Sequence, residues 1–221
     1  MNIAKNIEVA QEELNRLGVK LIAVSKTKPL DAILEAYGAG QRAFGENIVQ
    51  ELVQKQEALP KDIEWHLIGH LQSNKVKYIA SFISLIHAVD SLKLLKEIDK
   101  QAGKHKRVID CLLQVYIAEE DTKFGLDHAE LIELLRSEEL AGLKNIRITG
   151  LMGIATNTPN EKVVKAEFYE LKTLFDGIKQ SFFRDASYFD TLSMGMSADY
   201  KIAIEQGSTM VRLGSTLFGG R

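Results

Sequence analysis

The chain has a single cysteine, Cys111, among 221 residues, which excludes an internal disulfide and any cysteine-rich metal site. That thiol lies in the apolar run CLLQVYI and reads as a packed, unreactive group. Only three prolines occur, at 29, 60 and 159, each between stretches of regular periodicity. No Pro/Gly/Ser-rich linker, low-complexity tract or short repeat interrupts the chain, so one domain over 1–221 is expected. No run of 18 apolar residues exists, and MNIAKNIEVAQEELNRLG lacks the apolar segment of a signal peptide. The expectation is a cytoplasmic protein with no membrane span. Neither sign of charge dominates: 28 Lys and Arg against 30 Asp and Glu give a net charge of −2. A general attraction to nucleic acid or anionic membrane is thereby excluded. The one basic run, KHKR at 104–107, follows an apparent helix and reads as solvated cations complementing its dipole. His66 and His70 in WHLIGHLQSNK are separated by a strand and a turn and have no third ligand patterned nearby. No metal site is expected.

What the chain does have is alternation. Hydrophobic residues make up 45% and charged residues 26%, a globular composition. Ile3, Ile7, Ala10, Leu14 and Leu17 recur at helical spacing, and Gly18 is placed to end that helix. Short apolar runs then alternate with helical ones, at 21–26, 42–47, 65–69, 85–90, 111–117, 146–154, 191–196 and 209–214. Helical periodicity lies between them in Leu92, Leu95, Ile98 and Ala102, in Leu131, Leu134 and Leu135, and in Val164, Phe168, Leu171, Phe175, Ile178 and Phe182. Ser197 reads as an N-cap and Gly207 as the stop of a short helix between the last two runs. Strict β–α alternation implies a parallel sheet covered by helices, and eight units imply closure into a (β/α)8 TIM-type barrel. Too few residues follow position 214 for a full final helix, and the N-terminal helix would cover that gap. An open doubly wound sheet is the alternative, but no Gly-x-Gly-x-x-Gly follows the first strand.

Barrel sites lie at the C-terminal ends of the strands. Along LIAVSK, Ile22, Val24 and Lys26 share one face, which would bring the Lys26 amine to the upper rim as a nucleophile towards a carbonyl. A rim lysine reaching to water or pairing with Glu46 is the equal alternative on this stretch alone. LSMGMS (192–197) and VRLGSTLFGG (211–220) end strands seven and eight and are rich in Gly, Ser and Thr. Their backbone N–H groups suit an anion, with STLF as a short extra helix. Arg212 between them and Lys26 on the neighbouring strand complete a constellation suited to a phosphorylated carbonyl compound, whether pyridoxal phosphate (PLP) or a phosphosugar. Glu46 and Asn47 in FGENIVQE offer either a ligand contact or a helix cap. His87 reads as a hydrogen-bonded core histidine, GLMGIA as packing around a pocket, and Lys123 in DTKFGL as a solvated cation.

The set AVSKTKP, FGEN with VQE, WHLIGHLQSNK, TKFGL, GLMGIA, LSMGMSADY and VRLGSTLFG resembles the pyridoxal phosphate homeostasis proteins, whose domain is akin to the N-terminal barrel of alanine racemases. The resemblance runs from about residue 20 onwards. It implies a single barrel, without the second domain of alanine racemase, that carries PLP as a Schiff base on Lys26. It places Ser193 and Met194 in the strand-seven phosphate loop, Gly214 and Ser215 in the strand-eight loop, Arg212 at the pyridine nitrogen and Asn47 beside the ring oxygen. GST stands here where many relatives have GT, so Ser215 and Thr216 both remain candidates for the phosphate hydroxyl.

An arginine at the pyridine nitrogen makes the ring a weak electron sink, and racemisation needs an acid/base on each face of the α-carbon. The leading expectation is a PLP carrier in vitamin B6 and amino-acid balance, with no catalytic residue, PLP-dependent apoenzymes as recipients, and a monomeric state. The alternatives are an amino-acid racemase of narrow range, with Tyr116, Lys123 or His70 as second base, and a Schiff-base aldolase acting on a phosphosugar.

Overall fold

The computed structural model describes residues 2–118 and 124–220. Eight parallel strands, β1 (Lys20–Val24), β2 (Ala43–Glu46), β3 (Glu64–Leu67), β4 (Leu85–Val89), β5 (Ile109–Gln114), β6 (Ile146–Met152), β7 (Thr191–Met196) and β8 (Met210–Leu213), close into a barrel in chain order. The seam is the pairing of Lys20–Ala23 with Met210–Leu213. Each strand is short and apolar on both faces because both are covered, which is why the runs read as continuous rather than alternating. The two-residue period still sorts the side chains. Ile22, Ala43, Leu85, Ala88, Leu112, Met152 and Met210 fill the barrel, whereas Leu21, Ala23, Phe44 and Trp65 face the helices.

Helix α1 (Ile3–Arg16) is capped by Asn2, whose side chain accepts from the Lys5 amide, and buries Ile7, Ala10 and Leu14. Gly18 follows at φ +67°, a conformation open to it without a Cβ clash. The Asn6 side chain donates to the Leu217 carbonyl, so α1 packs against α9 (Ser215–Phe218), outside the β1–β8 seam. It takes the place where a longer final helix would lie. The other helices are α2 (Leu30–Gly38), α3 (Val49–Ala58), α4 (Leu92–Lys104), α5 (His128–Arg136), α6 (Glu138–Ala141), α7 (Glu161–Phe182) and α8 (Tyr200–Glu205), with a 3₁₀ helix at Ser73–Tyr78 after β3. Among the described residues no helix is long and apolar enough to cross a membrane.

Four local readings need correction. Strand β1 stops at Val24, and Lys26 lies in the turn beyond it, because Thr27 at φ +64° breaks the extended backbone. Strand β5 starts at Ile109 and ends at Gln114, leaving Val115 in an isolated bridge to Leu126. Ser197 does not cap α8. Asp199 occupies that position, and its carboxylate takes the Met196 amide. Arg107 is not solvated: it reaches back and donates to the carbonyls of Ala80 and Ile83. Cys111 is fully buried, and burial pushes its thiol up, so it is inert as read.

Candidate functional site

The C-terminal mouth of the barrel brings the ends of β1, β2, β7 and β8 together. Lys26 is half-buried there, and among the described residues its amine makes no hydrogen bond or ion pair. Both neighbours of Lys26 are fixed. The Ser25 hydroxyl donates to Glu46 Oε1 at 2.6 Å, and the Ser25 carbonyl accepts from Lys55 Nζ at 2.7 Å. The Thr27 amide donates to Glu51 Oε1 at 2.6 Å. Lys55 of α3 also pairs with Glu46 at 2.8 Å and Glu51 at 2.7 Å. Glu46 therefore has its counter-ion in Lys55, and the reading in which it pairs with Lys26 is overturned. Burial pushes the Glu46 carboxyl up from the usual range, while the hydrogen bonds from Lys55 and Ser25 pull it down. One Glu46 oxygen, Oε2, is buried without a partner among the described residues.

On the opposite side of the seam, Arg212 is level with Ile22 of β1 and only 3% exposed. Its Nη1 donates to the Ser193 carbonyl at 2.8 Å and hydroxyl at 2.7 Å, and its Nη2 to the Gly153 carbonyl at 3.0 Å. That uses three of five N–H donors and leaves the others without a partner among the described residues. Burial lowers its pKa to about 10, opposed by the Asp199 carboxylate, so it stays charged at neutral pH. The Ser193 hydroxyl is engaged inside the barrel, by Arg212 and by His87 Nδ1 at 3.1 Å. The Met194 side chain packs outward under the helices, so only its backbone belongs to the mouth. Gly195 at φ +94° turns the loop, and a Cβ there would lie 2.6 Å from that of Ala203.

Above β8, the amides of Gly214 and Thr216 converge on the Ser197 hydroxyl oxygen at 3.1 and 3.3 Å. Two backbone donors thus meet at one oxygen above the strand, with the exposed Ser215 between them. Sequence reasoning missed Ser197 here; the signal was its hydroxyl in the glycine loop SMGMS. Lys28 Nζ donates to the carbonyls of Phe218, Gly219 and Gly220 at 3.2–3.3 Å and so holds the far end of α9. The second lysine of SKTK thus ties the β1 turn to the β8 loop. Asn47 is half-buried past β2, without a side-chain hydrogen bond among the described residues. Its backbone packs on Gly69, where a Cβ would lie 2.6 Å from the Asn47 carbonyl oxygen.

Of the residues considered as a second base, His70 and Tyr116 are described. His70 lies 3.3 Å from Asp90 and stacks on Phe124 at 4.4 Å. Tyr116 lines a cavity of about 390 Å³ with Tyr169 and Leu174 of α7. Lys123 lies outside the described residues. His87 is a fully buried, hydrogen-bonded core residue, as read.

Residues 1–221 match the family described as alanine racemase, N-terminal domain. A pyridoxal phosphate homeostasis protein of Vibrio alginolyticus is 42% identical over 227 residues, covering 100% of this chain and 95% of the relative. The protein of that name from Escherichia coli strain K12 is 41% identical over 208 residues, covering 92% and 86%. PipY of Synechococcus elongatus PCC7942 is 39% identical and covers 98% of this chain and 100% of its own, with a TM-score of 0.90 without PLP and 0.88 with PLP bound. An alanine racemase of Streptomyces coelicolor, 17% identical, shares the fold at a TM-score of 0.76 over 100% of this chain and 58% of its own. The closed barrel is thus of the alanine racemase N-terminal-domain class. Within that class, the chain belongs to the pyridoxal phosphate homeostasis protein family.

Proposed function

We propose that this chain, as one domain over 1–221, binds PLP as a Schiff base on Lys26 and serves PLP homeostasis as a carrier without catalytic turnover. The observation that carries this reading is the half-buried Lys26 amine, left without a partner among the described residues on a turn whose two flanking residues are both clamped. The residues present fit the group. The anionic end is assigned to the β7 and β8 loops, at the Met194 backbone, Gly214 and Ser215, where the Gly214 and Thr216 amides already converge with Ser197, while Ser193, its hydroxyl held by Arg212 and His87, supports the loop from inside the barrel. Asn47 is assigned to the ring oxygen and Arg212 to the pyridine nitrogen. PLP supplies an aldehyde that condenses reversibly with an amine, releasing water, which suits loading and delivery.

The protein's own part is to hold a ready amine and to fix the ring. Arg212 only donates hydrogen bonds, so it favours an unprotonated ring nitrogen and weakens the ring as an electron sink. PLP-dependent apoenzymes are the proposed recipients, and a cytoplasmic monomer is the proposed state. Replacement of Lys26 by alanine should abolish the visible absorption of the PLP-loaded protein and its bleaching by borohydride. Unchanged colour and reduction in that variant would overturn the reading.

A further inference from the structure

The barrel interior, where TIM barrels stack apolar layers, carries an unbroken polar string. Arg212 Nη1 donates to Ser193 Oγ at 2.7 Å, Ser193 Oγ lies 3.1 Å from His87 Nδ1, and His87 Nε2 lies 2.9 Å from His66 Nδ1. All four residues are buried, His87 and Ser193 completely. His66 ends the string beside a cavity of about 380 Å³ at the opposite end of the barrel, lined also by Lys20, Ser84, Asp110, Arg147 and Asp190. We propose that Ser193, His87 and His66 form a one-way hydrogen-bond relay that runs from Arg212 through the barrel and positions its guanidinium at the mouth.

The direction follows from what each group can donate. A guanidinium has no acceptor, so Ser193 Oγ must accept from Arg212. Among the described residues the serine proton then has one partner within reach, His87 Nδ1, which accepts it. His87 carries its own proton on Nε2 and donates to His66 Nδ1. His66 in turn carries its proton on Nε2, towards the cavity. The reverse polarity would have Ser193 Oγ accept from both sides and leave its hydroxyl proton buried without an acceptor, which is the costlier arrangement. Burial holds the His66 pKa down to about 3 and that of His87 well below the usual value, so both rings stay neutral and each has one N–H. With its Nη1 bound to Ser193 and its Nη2 to Gly153, Arg212 is left to present its remaining donors at the mouth.

The inference rests on the proposed PLP reading only for what Arg212 faces. The relay itself is testable on the protein alone, so the two can fail separately. Long-range 15N–1H correlation spectra of the protein without PLP should show both rings with a protonated Nε2 and an unprotonated Nδ1. Ser193→Ala and Arg212→Met, which cut the string at successive points, should release that pattern, shifting the His87 nitrogens towards mixed tautomers. Ser193→Thr, which keeps the hydroxyl, should restore it. With PLP added, Ser193→Ala should displace the visible absorption maximum and Ser193→Thr should not. A wild-type His87 protonated on Nδ1, or tautomers indifferent to both Ser193→Ala and Arg212→Met, would overturn the relay.

Discussion

Lys55 Nζ lies 2.8 Å from Glu46 Oε1, and this buried pair also grips the Ser25 carbonyl and hydroxyl, next to Lys26. Removing one member of a buried ion pair leaves the other charge uncompensated, at a typical cost of about 3–5 kcal/mol. Lys55→Met should therefore lower the unfolding free energy by roughly 3 kcal/mol, since Glu46 escapes part of the penalty by taking up a proton. Urea unfolding at pH 7 measures this. A loss under about 1 kcal/mol would mean that the pair contributes little beyond surface contacts.

The next residue along shows the other half of the clamp. Thr27 is β-branched and sits at φ +64°, while its amide is bound to Glu51. Such a conformation costs about 1–3 kcal/mol and persists only if its surroundings impose it. Glu51→Ala, which removes the acceptor of the Thr27 amide, should slow the Lys26-dependent gain of colour with PLP, because the strained turn relaxes. Thr27→Gly should recover most of that rate in the double variant, since glycine tolerates the turn without the carboxylate. Equal losses in the single and double variants would argue against strain at this turn.

The barrel was legible because burial on two faces writes itself into composition: eight apolar runs, each followed by helical spacing, leave little choice of topology. Strand ends were less so. Strand β1 ends two residues early through the Thr27 turn, and β5 shifts by two at its start, both settled by contacts with other elements. Lys26 and Arg212 stood out as charges inside apolar runs. Lys55 and Glu51 did not, because an i,i+4 pair on a helix reads as a solvated surface pair; only α3 packing over the β1 turn buries it. The His66–His87 contact joins residues on neighbouring strands at different heights, and neither residue has a local signature of the other.

Ser197 offers a test that separates the phosphate from the ring. Its hydroxyl sits where the Gly214 and Thr216 amides meet. If the phosphate binds there, Ser197→Ala removes one hydrogen bond to a charged group, worth about 1.5 kcal/mol or roughly tenfold in affinity. Pyridoxal, which lacks the phosphate, should bind the variant and the wild type alike. Equal weakening for both ligands would assign Ser197 to the loop's folding instead.

Racemase activity would demand a proton-moving group on each face of a substrate α-carbon. His70 is the strongest described candidate besides Lys26, and it is already held by Asp90 and stacked on Phe124. The PLP-loaded protein should therefore exchange the α-protons of amino acids in heavy water no faster than free PLP does. Stereospecific exchange lost on Lys26 substitution would establish an enzyme.

The two buried histidines give the fold a pH dependence of definite sign. Burial lowers His66 from 6.5 to about 3 in the folded chain, and burial, helped by Arg212 and Lys20, holds His87 well below its usual value. Between those values the unfolded chain binds more protons than the folded one. The histidine contribution to stability is thus complete above pH 6.5 and declines as pH falls towards the folded values, by up to about 1.4 kcal/mol per pH unit for each ring. Glu46, whose folded pKa is raised, acts with the opposite sign, so the comparison must be made between variants that share it. His66→Gln removes one titrating ring while keeping a polar side chain. Plotted from pH 7 to pH 5, its unfolding free energy should fall less steeply than that of the wild type, the difference in slope approaching one proton at the acid end. Parallel slopes would show that His66 is already protonated in the folded barrel, or equally reluctant to ionise when unfolded.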